Sequence, residues 1–298
     1  MYLEHFGLRE FPFSITPDTA FTFRSRAQQR ALSALLVAVE LGEGFVKVVG
    51  EVGTGKTLLC RRLLARLQDH CVAAYLPNPA LTPRALLVTL AQELKIGAPV
   101  RATEHELRQR VESALIAHRR LGKRVVVILD EAQTIPLASL EQLRLLSNIE
   151  TEKAKLLQLI IFGQPELDQR LAQREIRQLR QRITVSVRLK PMREREIHAY
   201  LNHRLAVAGV ATPDLFTPAA VRAVAAASSG VARLVNVIAN KSLMLAYGRG
   251  LSRVGVDEVW EAVRDTEDHH ETSLFQMPAW LGAGWLATRE TLGVGARP

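Results

Sequence analysis

The sequence predicts an α/β protein: a three-layer domain built on a parallel sheet, followed by a smaller all-helical domain. Three features predict it. Short apolar runs rich in Val, Ile and Leu alternate with helical segments up to residue 190. The runs stay apolar at consecutive positions, as strands do when helices cover both faces of a sheet. Beyond Pro191 the apolar spacing is helical, and no convincing strand returns.

Residues 1–25 read as an irregular N-terminal linker segment, with Tyr2, Phe6, Phe11, Phe13, Phe21 and Phe23 set between Pro and Gly, ready to pack on a larger body. Residues 26–41 place apolar side chains at helical spacing. Phe45 to Val49 is a short β-branched run that stops at Gly50, and a helix is expected from Lys56 to about Asp69. Val72 to Leu76 reads as a second strand, and 83–95 and 104–121 as helices. Val125 to Leu129 is a fully apolar run ending in Asp130. A helix over 137–148, a buried strand from Leu156 to Phe162, a helix over 166–180 and an alternating strand from Ile183 to Leu189 complete a core spanning 26–190. Helices over 193–209, 218–228, 231–248 and 255–265 form the second domain, 191–267, and a weakly ordered tail is expected over 268–298.

A chain of 298 residues, 48% of them apolar, suffices for two domains that need neither disulfides nor metals. With 39 basic against 30 acidic residues the net charge is +9. That balance suits nucleic acid, anionic lipid or acidic protein partners, and equally a solvated basic surface. The two cysteines, Cys60 and Cys71, read as free thiols in a reducing compartment. The N-terminus lacks the basic start and apolar run of a signal peptide, and no window reaches the ~20 apolar residues of a membrane span. The body of the protein is therefore expected in the cytoplasm, with peripheral attachment to a membrane complex left open. The eight histidines show no zinc spacing, and no GxSxG context is present.

Gly50-Glu51-Val52-Gly53-Thr54-Gly55-Lys56-Thr57 matches the phosphate-loop pattern GxxxxGK[ST] at every defined position, between a strand and a helix. Glycines let the backbone aim successive N–H groups at phosphate, and the helix start adds unpaired N–H groups and partial positive charge. Lys56 would reach the β- and γ-phosphates and Thr57 would ligate magnesium, while Leu58 continues the nucleotide-binding set. Val125 to Leu129 delivers Asp130 and Glu131 to the carboxyl edge of the sheet, where ligands of open α/β sheets sit. Asp130 is placed on magnesium through water and Glu131 on the attacking water. An acidic pair also suits an ordinary helix start, but beside a complete phosphate loop the P-loop NTPase reading is preferred.

Together with several other segments of the chain, these residues resemble the AAA+ ATPases, and within them the ExeA/GspA-like group. The opening Met1-Tyr2-Leu3-Glu4-His5-Phe6-Gly7-Leu8, then Phe11-Pro12-Phe13-Ser14-Ile15-Thr16-Pro17-Asp18, Phe162-Gly163-Gln164-Pro165-Glu166-Leu167 and Gln181-Arg182-Ile183 carry the resemblance over roughly residues 1–265. The chain is too short for the membrane span and periplasmic peptidoglycan-binding region of longer secretion members. That makes it most similar to the MshM-type proteins linked to MSHA, a type IV pilus. The resemblance implies ATP and Mg²⁺ as ligands, a helical lid, a ring-type homo-oligomer, and pilus or secretion proteins as partners.

It also implies four further roles. Asn78 takes the place of a polar residue that restrains the catalytic glutamate, although a turn between Pro77 and Pro79 explains it equally well. Gln164 stands at the sensor-1 position, against the plainer reading of a capping loop residue. Arg182 becomes the arginine offered to a neighbouring subunit's ATP, against a solvated basic face shared with Arg174, Arg177 and Arg180. Arg233 becomes the lid's sensor-2 arginine, against a surface charge, and Asn236 one turn later supports packing. Trp280 and Trp285 in the tail read as part of a disordered end rather than a docking patch.

The expected function is an ATP hydrolase that drives or switches assembly of a pilus or secretion complex at the cytoplasmic membrane. A DNA-dependent ATPase of the transposition-helper kind is the alternative, suggested by the charge of +9 and the Arg-rich segment 170–188. A non-hydrolysing scaffold is disfavoured by Glu131. No guanine-reading NKxD-type signature is present, so ATP is expected over GTP.

Overall fold

The computed structural model describes residues 2–16, 20–67, 71–97, 99, 101–151, 154–210 and 214–266, and it divides into two compact units. One is Arg24–Pro191; the other joins Met192 onward to the N-terminal Met1–Phe23. The tail with Trp280, Trp285, His269 and His270 lies outside the described residues, as does His70.

The first unit contains strands β1 (Phe45–Gly50), β2 (Cys71–Leu76), β3 (Arg124–Leu129), the two-residue pair β4 (Glu150–Thr151) and β5 (Ala154–Lys155), β6 (Leu157–Gly163) and β7 (Val185–Leu189). Five of them form one parallel sheet in the order β2-β3-β6-β1-β7. Consecutive residues of the central strands serve opposite faces, as the two-residue strand period requires. Val125, Val127 and Leu129 pack with Leu159 and Ile161 against Leu86, Leu90, Leu107, Leu115 and Leu143. Val126, Ile128, Ile160 and Phe162 pack with Val48 against Leu35, Leu59 and Leu63 on the other side. Each fully buried Leu or Val contributes about 1.5–3 kcal/mol, and this double coverage keeps the runs apolar apart from Lys47 in β1 and Gln158 in β6. Three of the helices on these faces, Arg26–Glu40, Pro83–Glu93 and Glu104–Arg120, start at side-chain caps. Ser25 Oγ accepts from Gln28 N at 3.2 Å. Thr103 and Glu106 form a reciprocal capping box that opens Glu104–Arg120.

Besides the unforeseen β4–β5 pair and a 3₁₀ turn at Ala132–Thr134, three elements differ from expectation. The helix expected over 166–180 is broken into Glu166–Leu171, a 3₁₀ turn Arg174–Ile176 and a short helix Arg177–Arg180. Leu167, Leu171, Ile176 and Leu179 are all buried in one core. The step of five from Leu171 to Ile176 would leave the second pair about 140° out of phase on a continuous helix. The break restores the phase. The last strand begins at Val185 instead of Ile183, and Tyr2–His5 forms one helical turn in the segment read as irregular.

The second unit holds helices Glu194–Val207, Pro218–Ser228, Ala232–Gly248 and Val256–Arg264. The N-terminal aromatics are part of its core: Tyr2, Phe6, Phe13 and Phe21 are buried with Leu201, Leu205, Val235 and Ile238. Arg204 ties them in. Its guanidinium lies 4.8 Å over the Phe21 ring, donates to the Pro12 carbonyl and reaches the Tyr200 hydroxyl at 3.0 Å. Asn236 accepts from that hydroxyl at 2.7 Å, a packing role. Among the described residues, no helix is long and apolar enough to cross a membrane, and no group of three or more His, Cys, Asp or Glu is placed to hold a metal.

Candidate active site

Because the five strands are parallel, their carboxyl ends share one edge. Register places Val49 opposite Gly163, Leu129 opposite Ile161 and Leu76 opposite Leu129. Gly50, Asp130, Gln164 and the Asn78 turn therefore emerge together, and Asp130 N donates to Leu76 O at 3.0 Å.

After β1 the chain turns through 51–55 into the helix Lys56–Leu67. Gly53 and Gly55 have φ of 78° and 89°, a region that residues with a Cβ avoid. At Gly55 a Cβ would also stand 2.6 Å from Gln28 Nε2. Lys56 is only 5% exposed, and its ammonium donates to the carbonyls of Gly50 at 2.8 Å and Glu51 at 3.0 Å. Burial lowers its pKa, and the nearby Glu131, Asp130 and Glu51 carboxylates oppose that shift. The ammonium is thus dehydrated and ringed by acceptors.

Asp130, 2% exposed, is the buried acid of the site. Burial pushes its pKa up, against hydrogen bonds from the Thr57 side chain and the Glu131 N–H, the latter at 3.0 Å. The hydroxyl and carboxylate assigned to a metal are thus neighbours. A buried cation, a glycine-bent loop leading into a helix start, a hydroxyl and a carboxylate form a set that fits a phosphate-bearing nucleotide. Cys60, in the helix after the loop, is a buried free thiol whose pKa burial raises.

Glu131 opens the 3₁₀ turn Ala132–Thr134 with φ 52° and ψ 37°, left-handed for a residue with a side chain. Such a backbone costs on the order of 1–3 kcal/mol and persists where its surroundings over-determine it. Here they do. Gln133 Nε2 and Gln164 Nε2 both donate to Glu131 Oε2, at 2.6 and 3.1 Å. Gln133 Oε1 accepts from Gln164 N at 3.1 Å. The Arg170 guanidinium donates to the carbonyls of Gln133 and Ile135.

The structure brings Lys56, Thr57, Asp130, Glu131 and Gln164 together. It turns Asn78 elsewhere: its Oδ1 accepts from Ala80 N at 3.4 Å, a local turn bond. Arg182 is half-buried against the end of the helix Leu137–Leu146, donating to Ser147 O and Oγ at 3.3 and 3.4 Å. Arg233 is exposed on the second unit. Sequence reasoning missed Gln133 and Arg170. Gln133 stands two places beyond Glu131, and Arg170 was grouped with a basic segment although it points its charge inward.

A phosphate loop, an Asp-Glu pair one strand beyond β6, and a five-stranded parallel sheet followed by a helical region define a P-loop protein of the AAA+ class. The family described as AAA domain matches residues 39–171. Within that class the chain is similar to the ExeA/GspA-like group. It is 40% identical over 291 residues to "General secretion pathway protein A" of Aeromonas hydrophila, covering 97% of this chain and 53% of that protein. The chain thus spans about half the length of that relative. Among solved structures, Cdc6p of Pyrobaculum aerophilum is similar with a TM-score of 0.65 at 19% identity, covering 88% of this chain and 75% of that one. The ORC2 protein of Aeropyrum pernix gives 0.61 at 19%, with the same coverages of 88% and 75%. The RuvB branch-migration motor of Thermotoga maritima gives 0.53 at 17%, covering 86% and 73%. At these identities the likeness is one of fold alone.

Proposed function

We propose that this chain hydrolyses ATP with Mg²⁺ and uses the cycle to drive or switch assembly of a secretion complex or an MSHA-like type IV pilus at the cytoplasmic membrane. The observation that carries the hydrolytic part is the meeting of Lys56, Thr57, Asp130 and Glu131 at one sheet edge. When bound, magnesium ATP supplies the γ-phosphoryl group. The loop N–H groups and Lys56 neutralise phosphate charge, and Thr57 and Asp130 hold the metal. Glu131 takes a proton from water as the water oxygen bonds to phosphorus and the bond to the β-phosphate oxygen breaks. Gln164 orients that water. Arg182, released from Ser147, serves a neighbouring copy in a ring, and Arg233 couples nucleotide state to the helical unit. The setting rests on similarity to the Aeromonas hydrophila secretion protein, and the pilus on the resemblance to MshM-type proteins.

Steady-state hydrolysis should vanish in Lys56→Ala, while Glu131→Gln should bind ATP without turning it over. Full turnover in either variant would remove the reading. A second reading, a DNA-dependent ATPase, draws on Arg174, Arg177 and Arg180, which are exposed at spacings of three. Duplex binding that weakens steeply with salt would favour it; no binding at low salt would eliminate it.

A further inference from the structure

We infer that Gln133 is a latch on Glu131: it ties the carboxylate to Gln164, and hydrolysis requires that tie to open. This role rests on the proposed function, since it presupposes that Glu131 activates water and that Gln164 orients it.

The tie is a closed set of bonds. Gln133 gives its N–H to Glu131 Oε2 at 2.6 Å and takes the Gln164 main-chain N–H on Oε1 at 3.1 Å. The Gln164 side chain closes the set by donating to the same Oε2 at 3.1 Å. Both lone-pair positions of that oxygen are filled by amide donors. A carboxylate held by two donors cannot turn freely toward water, and the Gln164 N–H given to Glu131 is not available to orient one. Each member contacts the other two, and Gln133 is the one to which the proposed chemistry gives no other task.

The latch is also braced from behind. Arg170 holds the carbonyls of Gln133 and Ile135, and Thr134 donates through N and Oγ1 to the Glu131 carbonyl, both at 2.9 Å. These contacts fix the turn on which Gln133 rides. Asn78 makes its side-chain bond to Ala80 instead. In this chain the restraint on Glu131 therefore comes from the turn after the third strand rather than from the end of the second.

The full chain with Gln133→Ala tests this, with Gln133→Met as a second variant that keeps the side-chain bulk without either polar group. In nucleotide-free protein, hydrogen exchange at the Gln164 amide should quicken roughly tenfold, the loss expected when one such bond is removed. Basal ATP turnover should rise by a similar factor in kcat with KM for ATP unchanged, a gain that misfolding cannot produce. Adding Glu131→Gln to Gln133→Ala should abolish the gain. Unchanged exchange at Gln164, or a kcat that stays level or falls while wild type turns over and Lys56→Ala does not, overturns the latch and leaves the hydrolytic reading standing. ATP binding without turnover in both wild type and Gln133→Ala overturns the two together.

Discussion

Asp130→Asn should make the nucleotide-free protein more stable while removing its activity. The carboxylate is 2% exposed, and its pKa is raised by burial despite hydrogen bonds from Thr57 and from the Glu131 N–H. An amide keeps an oxygen to accept both bonds and carries no charge to desolvate. Replacing such a functionally required group is worth about 1 kcal/mol. For a unit the size of Arg24–Pro191 that is a rise in Tm of roughly 2–4 °C. The sign with pH follows from linkage. Folded Asp130 keeps its proton to higher pH than the unfolded chain does. Its contribution to stability therefore falls as pH rises from the ordinary carboxylate value through the raised folded one, and the variant lacks that slope. The assay is thermal unfolding in chelator across pH 4–8, repeated with magnesium and a non-hydrolysable ATP analogue. At a hundredfold excess over Kd the ligand adds about 2.7 kcal/mol to whichever form binds it. Wild type should gain most of that and the variant little, so their order of stability should reverse. A lower Tm for the variant in chelator would mean that net attraction holds the carboxylate, and the burial argument for Asp130 would fail.

Leu63→Ala empties a site with no exposed surface, sandwiched against the sheet; a loss of about 2–5 kcal/mol in urea unfolding is expected, and under 1 kcal/mol would contradict that packing. Arg204→Met keeps volume but removes the guanidinium that ties Pro12 and Ser14, so limited proteolysis within residues 9–16 should accelerate. Unchanged cleavage would show that the apolar contacts alone hold the segment. Arg182→Ala should cost little stability, since its bonds to Ser147 are 3.3 and 3.4 Å long. It should lose hydrolysis yet regain part of it when mixed with Lys56→Ala, whose copies supply the arginine; no recovery on mixing would end the trans role.

The sheet is legible in the sequence because burial on both faces demands nearly unbroken apolar runs: β3 is one from Val125 to Leu129, and β1 and β6 are interrupted only by Lys47 and Gln158. Lys56, Thr57 and Asp130, which we propose hold phosphate and magnesium, stand out in the sequence because such ligands accept few residue types in few orders. What was hidden depended on phase and on side-chain aim. The break after Leu171 follows from the five-residue step to Ile176, which a helical count over 166–180 averages away. Arg170 looks like its basic neighbours, yet two main-chain carbonyls of the Glu131 turn capture it. The N-terminal aromatics showed that they must pack, and only tertiary contacts with Leu201 and Val235 reveal on what.

Two mechanical systems meet at the site. Gly50, Asp130 and Gln164 are placed by parallel register, and moving any of them means shifting a strand with neighbours on both sides. The aim of Glu131 is set otherwise, by a left-handed residue, one 3₁₀ turn and a few side-chain bonds from Gln133, Gln164 and Arg170. A turn of that kind can change state without disturbing the sheet, because its bonds are few and separate from the strand ladder. Nucleotide affinity, which we propose to rest on Lys56, Thr57 and Asp130, would therefore be separable from the chemical step. A partner that pulled on Arg170 or the turn 131–135 would alter turnover with little effect on binding, whereas one that acted on the strands would change both.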